Sequence, residues 1–567
     1  MSTLDWIVLF WTLISIVAFG VYKTRGKKNL DAYLRGKNSM NWWTIGLSIM
    51  ATQASAITFL STPGQAYEDG MRFIQFYFGL PLAMIIISVS FIPIYYKLKV
   101  YTAYEYLESR FDLKTRTLTS LLFIVQRGLG AGITIYAPAI ILSTLLGWNL
   151  TFTNVLIGVL VIVYTVSGGT EAVSITQKQQ MAVMMGGMIL AGFIVIQLLP
   201  ISFQEALHVA GKMDKLNVVS FDFDLSDRYN IWSGMTAAVF LFLSYFGTDQ
   251  SQVQRYLSGQ TLTQSRMGLI MNGFLKIPMQ FLILFIGVMV FVFYQFTQPP
   301  VVFNKVQTEK LQESSLAPEF EKLEEDYSRS FQEGKKAYLG MLEAVDADDE
   351  TRVAEFRQQI QEIKAEQNGI REEVKSLIVQ NDPAAETRDT DYVFMRFVMD
   401  YLPQGLVGLL FAVIFSAAMS SSASELNALG STSTIDLYKR SVKKEATDEH
   451  YLKSSKVFTA FWGLGAILFA TYASLFENLI QAVNLLGSLF YGTILGIFMV
   501  GFFMKWIKGK AVFLAALFSQ ALILIIHFWN GVGLFGFHWD IGFLWYNAIG
   551  CIAVMALGSI FQLILRK

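Results

Sequence analysis

Stretches of about twenty apolar residues recur from one end of this chain to the other, each long enough to cross a hydrocarbon core of ~30 Å as a helix. Backbone amides and carbonyls find no water inside a bilayer, so such stretches must satisfy those groups within helices. Composition agrees. Charged residues are 16% of the 567, against roughly 25% in soluble domains. The expected class is an all-α polytopic membrane protein with about thirteen transmembrane helices. They fall near 4–22, 41–67, 72–96, 117–146, 149–167, 179–200, 231–254, 267–296, 396–430, 456–475, 478–504, 511–530 and 541–565.

Charge sets the expected orientation. The first apolar run is followed, not preceded, by "KTRGKK", so it reads as a retained helix with its N-terminus outside rather than a cleaved signal. Alternate loops then face the cytoplasm. Those loops, "KLKVYTAYEYLESRFDLKTR", "LYKRSVKKEATDEHYLKSSK" and "KWIKGK" among them, are rich in Lys and Arg, as the positive-inside rule requires. The expected location is the cell (inner) membrane, multi-pass, with a cytoplasmic C-terminus. Net charge is zero, and no nucleic-acid partner is expected. Cys551 is the single cysteine and the four histidines are scattered, so neither a disulfide nor a metal cluster is expected. No nucleophile–base pair marks an enzyme.

One segment, 303–390, is densely charged and carries no span. Phe320, Leu323, Tyr327, Phe331, Tyr338 and Leu342 recur at helical spacing, as do Val353, Phe356, Ile360, Ile363, Ile370, Val374 and Leu377, with "DADDE" between them. Two narrow apolar stripes predict an antiparallel helical hairpin. The span count puts it outside, where long loops translocate regardless of charge. It is read as a spacer, with a docking or oligomer contact as the alternative.

Two spans look broken. Residues 42–70 mix apolar positions with Thr52, Gln53, Ser55, Thr58, Ser61 and Thr62, then Pro63-Gly64. Residues 237–257 place Gly247, Thr248, Asp249 and Gln250 where a helix should stay apolar. Each opens a group of five spans, and five spans cannot return a chain to its starting side. The two groups, 41–200 and then 231–302 with 391–504, therefore have opposite orientation. Paired interrupted helices in two inverted halves point to the midplane site of a secondary transporter. Residues 1–40 and 505–567 supply extra helices.

A third stretch, "FSAAMSSSASELNALGSTST" (415–434), carries costly polar groups into the bilayer. Ala417, Ser420 and Ser421 share one helix face. Two hydroxyls and a carbonyl there, with carbonyls freed at Ala51 and Ala54 by the broken helix, would make five neutral oxygens. No carboxylate is included, so the set suits Na⁺ rather than a divalent ion.

The chain resembles the sodium/solute symporter family, which includes sodium-coupled glucose, iodide, monocarboxylate and multivitamin cotransporters. The residues that carry the likeness are "NWWTIGLSIMATQASAITFLSTPGQAYEDGM", "TAYEYLESRF", "GITIYAPAIIL", "VYTVSGGTEAV", "SQVQRYLS" and "LPQGLVGLLFAVIFSAAMSSSASELNALGSTSTIDLYKR". The resemblance covers all of the chain except the insert, and what it implies is a bacterial-type member with a charged insert. The resemblance implies the leucine-transporter fold, two inverted five-helix repeats, and a sodium site at Ala51, Ala54, Ala417, Ser420 and Ser421. It also shows departures. The family's usual Thr-Asp after "SGGTEAV", which helps some members hold a second sodium, is Thr176-Gln177 here, followed by Lys178, and Ala423 stands where a further hydroxyl would be useful, although Ser424 remains. One Na⁺ per substrate is therefore expected. At the positions that bind sugar in sugar-carrying members this chain has Thr58, Tyr77, Leu80, Phe242, Lys276 and Val483. Three of these cannot hydrogen-bond through their side chains, which disfavours a hexose in that pose.

The function expected is sodium-coupled symport of a small organic solute by alternating access. The substrate is an organic anion, with a sugar or sugar acid as the alternative. A transporter-like sensor using the insert is the reading from another class. Candidate substrate or gate residues are Gln53, Thr58, Phe76, Tyr77, Tyr245, Phe246 and Lys276. Lys276 is expected to serve helix packing or to snorkel toward the cytoplasmic side.

Overall fold

The structure, a computed structural model, describes residues 1–24, 33, 39–383, 385, 387, 389–472, 479–529 and 540–565. The basic loop expected after the first span lies outside them. Helix α1 (Thr3–Thr24) is followed by α2 (Trp42–Gln53) and α3 (Ala56–Asp69). The break between α2 and α3 is where the sequence predicts it. Ala54 leaves helical geometry at φ −79°, ψ 83°, and Ser55 is extended at ψ 172°. The Thr58 amide turns to Ser55 O rather than back to Ala54. A 3₁₀ stretch (Gly70–Tyr77) leads to α4 (Leu80–Leu98), α5 (Glu105–Arg110) and α6 (Leu113–Leu146), whose start is capped by Asp112 on the Thr115 amide.

Helical hydrogen bonding then runs through α7 (Leu150–Gln197), where the sequence predicts two spans. The rest of the chain shows why two is still the right count. Helices α8 (Phe203–Lys212), α9 (Ala238–Gly247), α10 (Gln250–Leu257) and α11 (Leu262–Phe296) come next. Then follow α12 (Lys305–Gln312), α13 (Ala317–Asp346), α14 (Glu350–Asn381) and α15 (Thr390–Tyr401). The chain continues through α16 (Leu406–Thr432), a π-helical extension (Ser433–Val442) and α17 (Asp448–Ala470). It closes with α18 (Leu479–Phe503), α19 (Gly509–Trp529) and α20 (Trp545–Leu565). Within this frame the first leg of α7 runs antiparallel to α17, with Gly158 against Ile467 and Ile162 against Gly463. Its second leg runs antiparallel to α16, with Thr170 bonded to Asn427 and Gly187 against Val413. Helices α16 and α17 are themselves antiparallel, Gly430 facing Thr459 and Leu426 facing Gly463. The chain must therefore reverse between Ile162 and Thr170, as two spans demand.

The second break is at Thr248-Asp249, between α9 and α10. Asp249 turns its carboxylate onto the Ser251 amide (2.9 Å) and so caps α10. Met40, just before α2, pairs with residues just after α10: its amide donates to Ser258 O (3.1 Å) and its carbonyl accepts from the Gln260 amide (3.0 Å). One broken helix begins at the place where the other ends. The two therefore run in opposite directions, the inverted relation that two five-span groups require. Gly287 of α11 lies against the Pro63 backbone of α3, an approach that no side chain at 287 would permit.

Eight helices among the described residues are long and apolar enough to cross a membrane, with three shorter apolar ones. The expected span at 396–430 begins later, at Leu406. Pro403 and a left-handed Gly405 (φ 87°) separate it from α15. Helix α1 docks on that start: buried Asp5 accepts from the amides of Gly405 (2.6 Å) and Gly408 (3.2 Å). At the other end of α16 an ion-pair cluster closes the bundle. Asp436 accepts from Thr102 Oγ1 and Arg116 Nε, both at 2.8 Å, and Glu108 holds Arg116 (2.7 Å) and Arg440.

Helices α13 and α14 form the predicted hairpin, turning through Ala347–Asp349 with Asp348 left-handed at φ 55°. Both stripes are buried apart from half-buried Phe356. The hairpin also sits on the bundle. Arg357 pairs with Asp214, Lys212 with Glu350 (2.8 Å), and Tyr338 packs on Phe296 (6.0 Å between centroids). The hairpin is thus packed onto the bundle. Replacing 317–381 with a short flexible linker should leave a folded bundle that still takes up solute but melts lower, because Phe291 and Phe296 lose their cover. Comparing melting curves and uptake of the two proteins checks this; an unfolded bundle would contradict it.

Candidate functional site

The break after α2, the middle of α16 and the second leg of α7 meet at one point. Ser420 Oγ donates toward Ala51 O (2.8 Å) and Ala417 O (2.9 Å). Ser421 Oγ lies 3.5 Å from Ala51 O and 3.1 Å from Thr52 O. Ala51, Ala54, Ala417 and Ser420 are fully buried and Ser421 almost so. Four of the five predicted oxygen donors thus gather directly. The fifth, the Ala54 carbonyl, belongs to the residue at which the helix opens. A hydroxyl can rotate its hydrogen away and offer a lone pair. The set fits a hard monovalent cation: neutral, oxygen-only, buried, and flanked by unwound backbone.

Beside it stands Gln177. Its Nε2 donates to Thr52 Oγ1 (3.0 Å), Ser420 O (3.1 Å) and Ser424 Oγ (2.8 Å), while its Oε1 accepts from Ser48 Oγ (2.5 Å). One amide thereby ties α2, α7 and α16 together. Lys178 is exposed and takes no part, so any exclusion of a second ion rests on Gln177 alone.

Adjoining the oxygens is a cavity of about 80 Å³. Its wall includes Gln53, Thr58, Phe76, Tyr77 and Tyr245 of the predicted set, with Thr52, Phe242, Ser421 and Val483. Phe76 packs tilted against Phe242 and Tyr77 stacks on it, at 4.9 and 6.0 Å between centroids, an aromatic wall shared by both halves of the fold. Two predicted residues stay out. Phe246 is buried behind Tyr245 (4.8 Å) as packing. Lys276 does not snorkel: it is fully buried, with Nζ 5.7 Å from the Tyr77 ring and no hydrogen-bond partner among the described residues.

Sequence reading missed the charged floor of this cavity. Arg127 of α6 donates to Glu425 Oε1 (3.0 Å), to Asp249 and to Tyr491 Oη (2.6 Å), and Tyr491 Oη donates to Asp249 Oδ2 (3.1 Å). Arg127, Glu425 and Tyr491 line the cavity and Asp249 lies behind. The signal was present: an arginine inside a predicted span needs a partner, and Asp249 and Glu425 were polar anomalies in two others.

The model of the sodium:solute symporter family matches residues 33–319 and 377–518. The chain belongs to the sodium:solute symporter family. It is 27% identical to the sodium/sialic acid symporter SiaT of Proteus mirabilis over 98% of this chain and 94% of that one. A sodium-coupled monocarboxylate transporter of Xenopus laevis is 34% identical over 273 residues, 47% of this chain and 43% of that one. A solved structure of a Na⁺-coupled sialic acid symporter, substrate-bound and outward-open, superposes with a TM-score of 0.74 at 25% identity over 99% of this chain and 98% of that one. The fold is thus the leucine-transporter fold, and this symporter is a sodium-coupled integral membrane protein. The family match skips 320–376, which falls within the hairpin.

Proposed function

We propose that this symporter imports a small hydroxylated organic acid, such as a sugar acid, with one Na⁺ held at Ala51, Ala54, Ala417, Ser420 and Ser421. The observation that carries the substrate class is a set of three buried orphans on one cavity. Arg127 Nε is a donor without an acceptor, and Gln53 Oε1 and Glu425 Oε2 are acceptors without a donor, among the described residues. Each costs about 1–3 kcal/mol while unmatched. A carboxylate or hydroxyl oxygen satisfies the donor, and hydroxyl hydrogens satisfy the two acceptors. A sugar acid has both; iodide has no donor. The full-length similarity to sialic acid symporters points the same way. Sodium bound beside Ser421, which lines both places, would hold the break of α2–α3 against α16 and shape the cavity wall. The inward gradient drives the cycle, since each charge moved is worth ~2.3 kcal/mol per 100 mV. The basic end of the bundle faces the cytoplasm and the insert faces outside in this reading. Sodium-gradient uptake into proteoliposomes tests it with sialic acid, other sugar acids, lactate and glucose. Sodium-dependent, saturable uptake of a sugar acid is expected, and uptake of glucose alone would refute the class.

Stoichiometry follows from Gln177. With its amide donors filling the place beside Ser420, sodium activation should be hyperbolic with a Hill coefficient near one. Reversal potentials should count one ion per substrate. A measured ratio of two would mean that a second ion binds despite the amide.

A further inference from the structure

A second cavity, about 370 Å³, lies where the hairpin meets the bundle. One wall is the end of α3 (Tyr67, Glu68), the end of α11 (Phe291, Tyr294) and Lys215; the other is hairpin, including Lys335, Tyr338, Lys364 and Arg371. The volume falls in the range of small-molecule sites, roughly 300–1,000 Å³. Four cationic side chains and one carboxylate line it. Their existing partners show which charges are spare. Arg371 donates to Tyr327 Oη (2.8 Å) and lies 3.7 Å from Asp389, whose other oxygen accepts from the Phe303 and Asn304 amides. The Glu68 carboxylate accepts from Thr390 Oγ1 (2.6 Å). Lys215 donates to the Glu68 backbone carbonyl and feels Asp69 as well as Glu68.

Lys364 differs. Its ammonium lies over aromatic faces, 4.4 Å from the Phe291 centroid and 5.9 Å from that of Tyr338. The charge that bears on it is Lys215, whose Nζ lies 4.8 Å from the same Phe291 ring. Burial, and then that like charge, push its amine down to about 7. Two ammonium groups sharing one ring beside a roomy aromatic cavity are arranged for an anion with an apolar body.

We propose that this seam is a binding site for an organic carboxylate, separate from the central cavity, with the carboxylate between Lys364 and Lys215 and the body against Phe291, Tyr338 and Tyr67. An inorganic anion would fill little of the space and leave those rings unused. An occupant would fasten the hairpin to α3, the half of the broken helix that carries Thr58 of the central cavity.

The test is amine acetylation of the full-length protein in detergent micelles near neutral pH, read residue by residue through peptide masses. Sodium is left out so that the transport site is not engaged, and potassium benzoate is the probe. Benzoate should slow acetylation of Lys364 several-fold while leaving Lys322, exposed on the same hairpin, unchanged. Benzamide, with the ring but no charge, should not protect, and inorganic phosphate should protect less. Lys215→Met should lose most of the benzoate effect. An unchanged Lys364 rate at saturating benzoate overturns the proposal. Equal protection by benzamide removes the anion, and equal protection by phosphate removes the organic body.

Discussion

Replacing Ser421 by alanine should raise the sodium concentration for half-maximal uptake by about tenfold or more, with normal expression and folding. A hydrogen bond or ligand contact to a charged group is worth about 1.5–3 kcal/mol, and 1.4 kcal/mol is about tenfold in affinity. The site holds no carboxylate to compensate. Ser421 Oγ lies 3.1–3.5 Å from the Thr52 and Ala51 carbonyls, so the small side chain leaves no charge unpaired when removed. Ser420→Ala should act similarly, because its hydroxyl bridges Ala51 O and Ala417 O. Uptake as a function of sodium, at saturating substrate, measures both. Superimposable activation curves for wild type and Ser421→Ala would take Ser421 out of the ion site.

Arg127→Met should be more damaging still, abolishing uptake and destabilising the bundle. Arg127 sits against Asp249 and Glu425, all three buried. Removing one member of such a group leaves uncompensated charge and costs about 3–5 kcal/mol. Stability and function can be separated. The double variant Arg127→Met with Glu425→Gln leaves one carboxylate unpaired instead of two, so it should recover melting temperature without recovering uptake. If the double variant regains sodium-dependent uptake, Arg127 acts only as structural balance and the substrate contact proposed for it is wrong.

Much of this was legible in one dimension. Apolar runs fixed the class because a bilayer leaves the backbone no choice but helix. The broken helices were visible because Thr52-Gln53-Ala54-Ser55 and Gly247-Thr248-Asp249 put polar and flexible residues where continuity favours apolar ones. The hairpin showed through the regular recurrence of Phe320 to Leu342 and Val353 to Leu377. Helix period places Ala417, Ser420 and Ser421 on one face without reference to anything else in the chain.

Which faces meet is another matter. That Gln177 reaches Ser420 across 243 positions, or Arg127 reaches Glu425 across 298, depends on how helices cross, and nothing local to either residue encodes it. Lys178 shows the same dependence: one helical step from buried Gln177, it is exposed and takes no part beside Ser420. Lys276 and Phe246 lie outside the cavity wall and are buried in helix packing, the packing role expected for Lys276. The seam between hairpin and bundle was invisible for the same cause. Lys215 and Lys364 are ordinary polar positions in their own segments and become a pair only over Phe291 of a third. Short-range periodicity and backbone satisfaction are set by neighbours in the chain, so the sequence determined helices, breaks and the face that Ala417, Ser420 and Ser421 share. Charge pairing and cavity shape arise from contacts between distant segments, so only the tertiary structure decided the floor of the cavity, the amide beside Ser420 and the lysine pair at the insert.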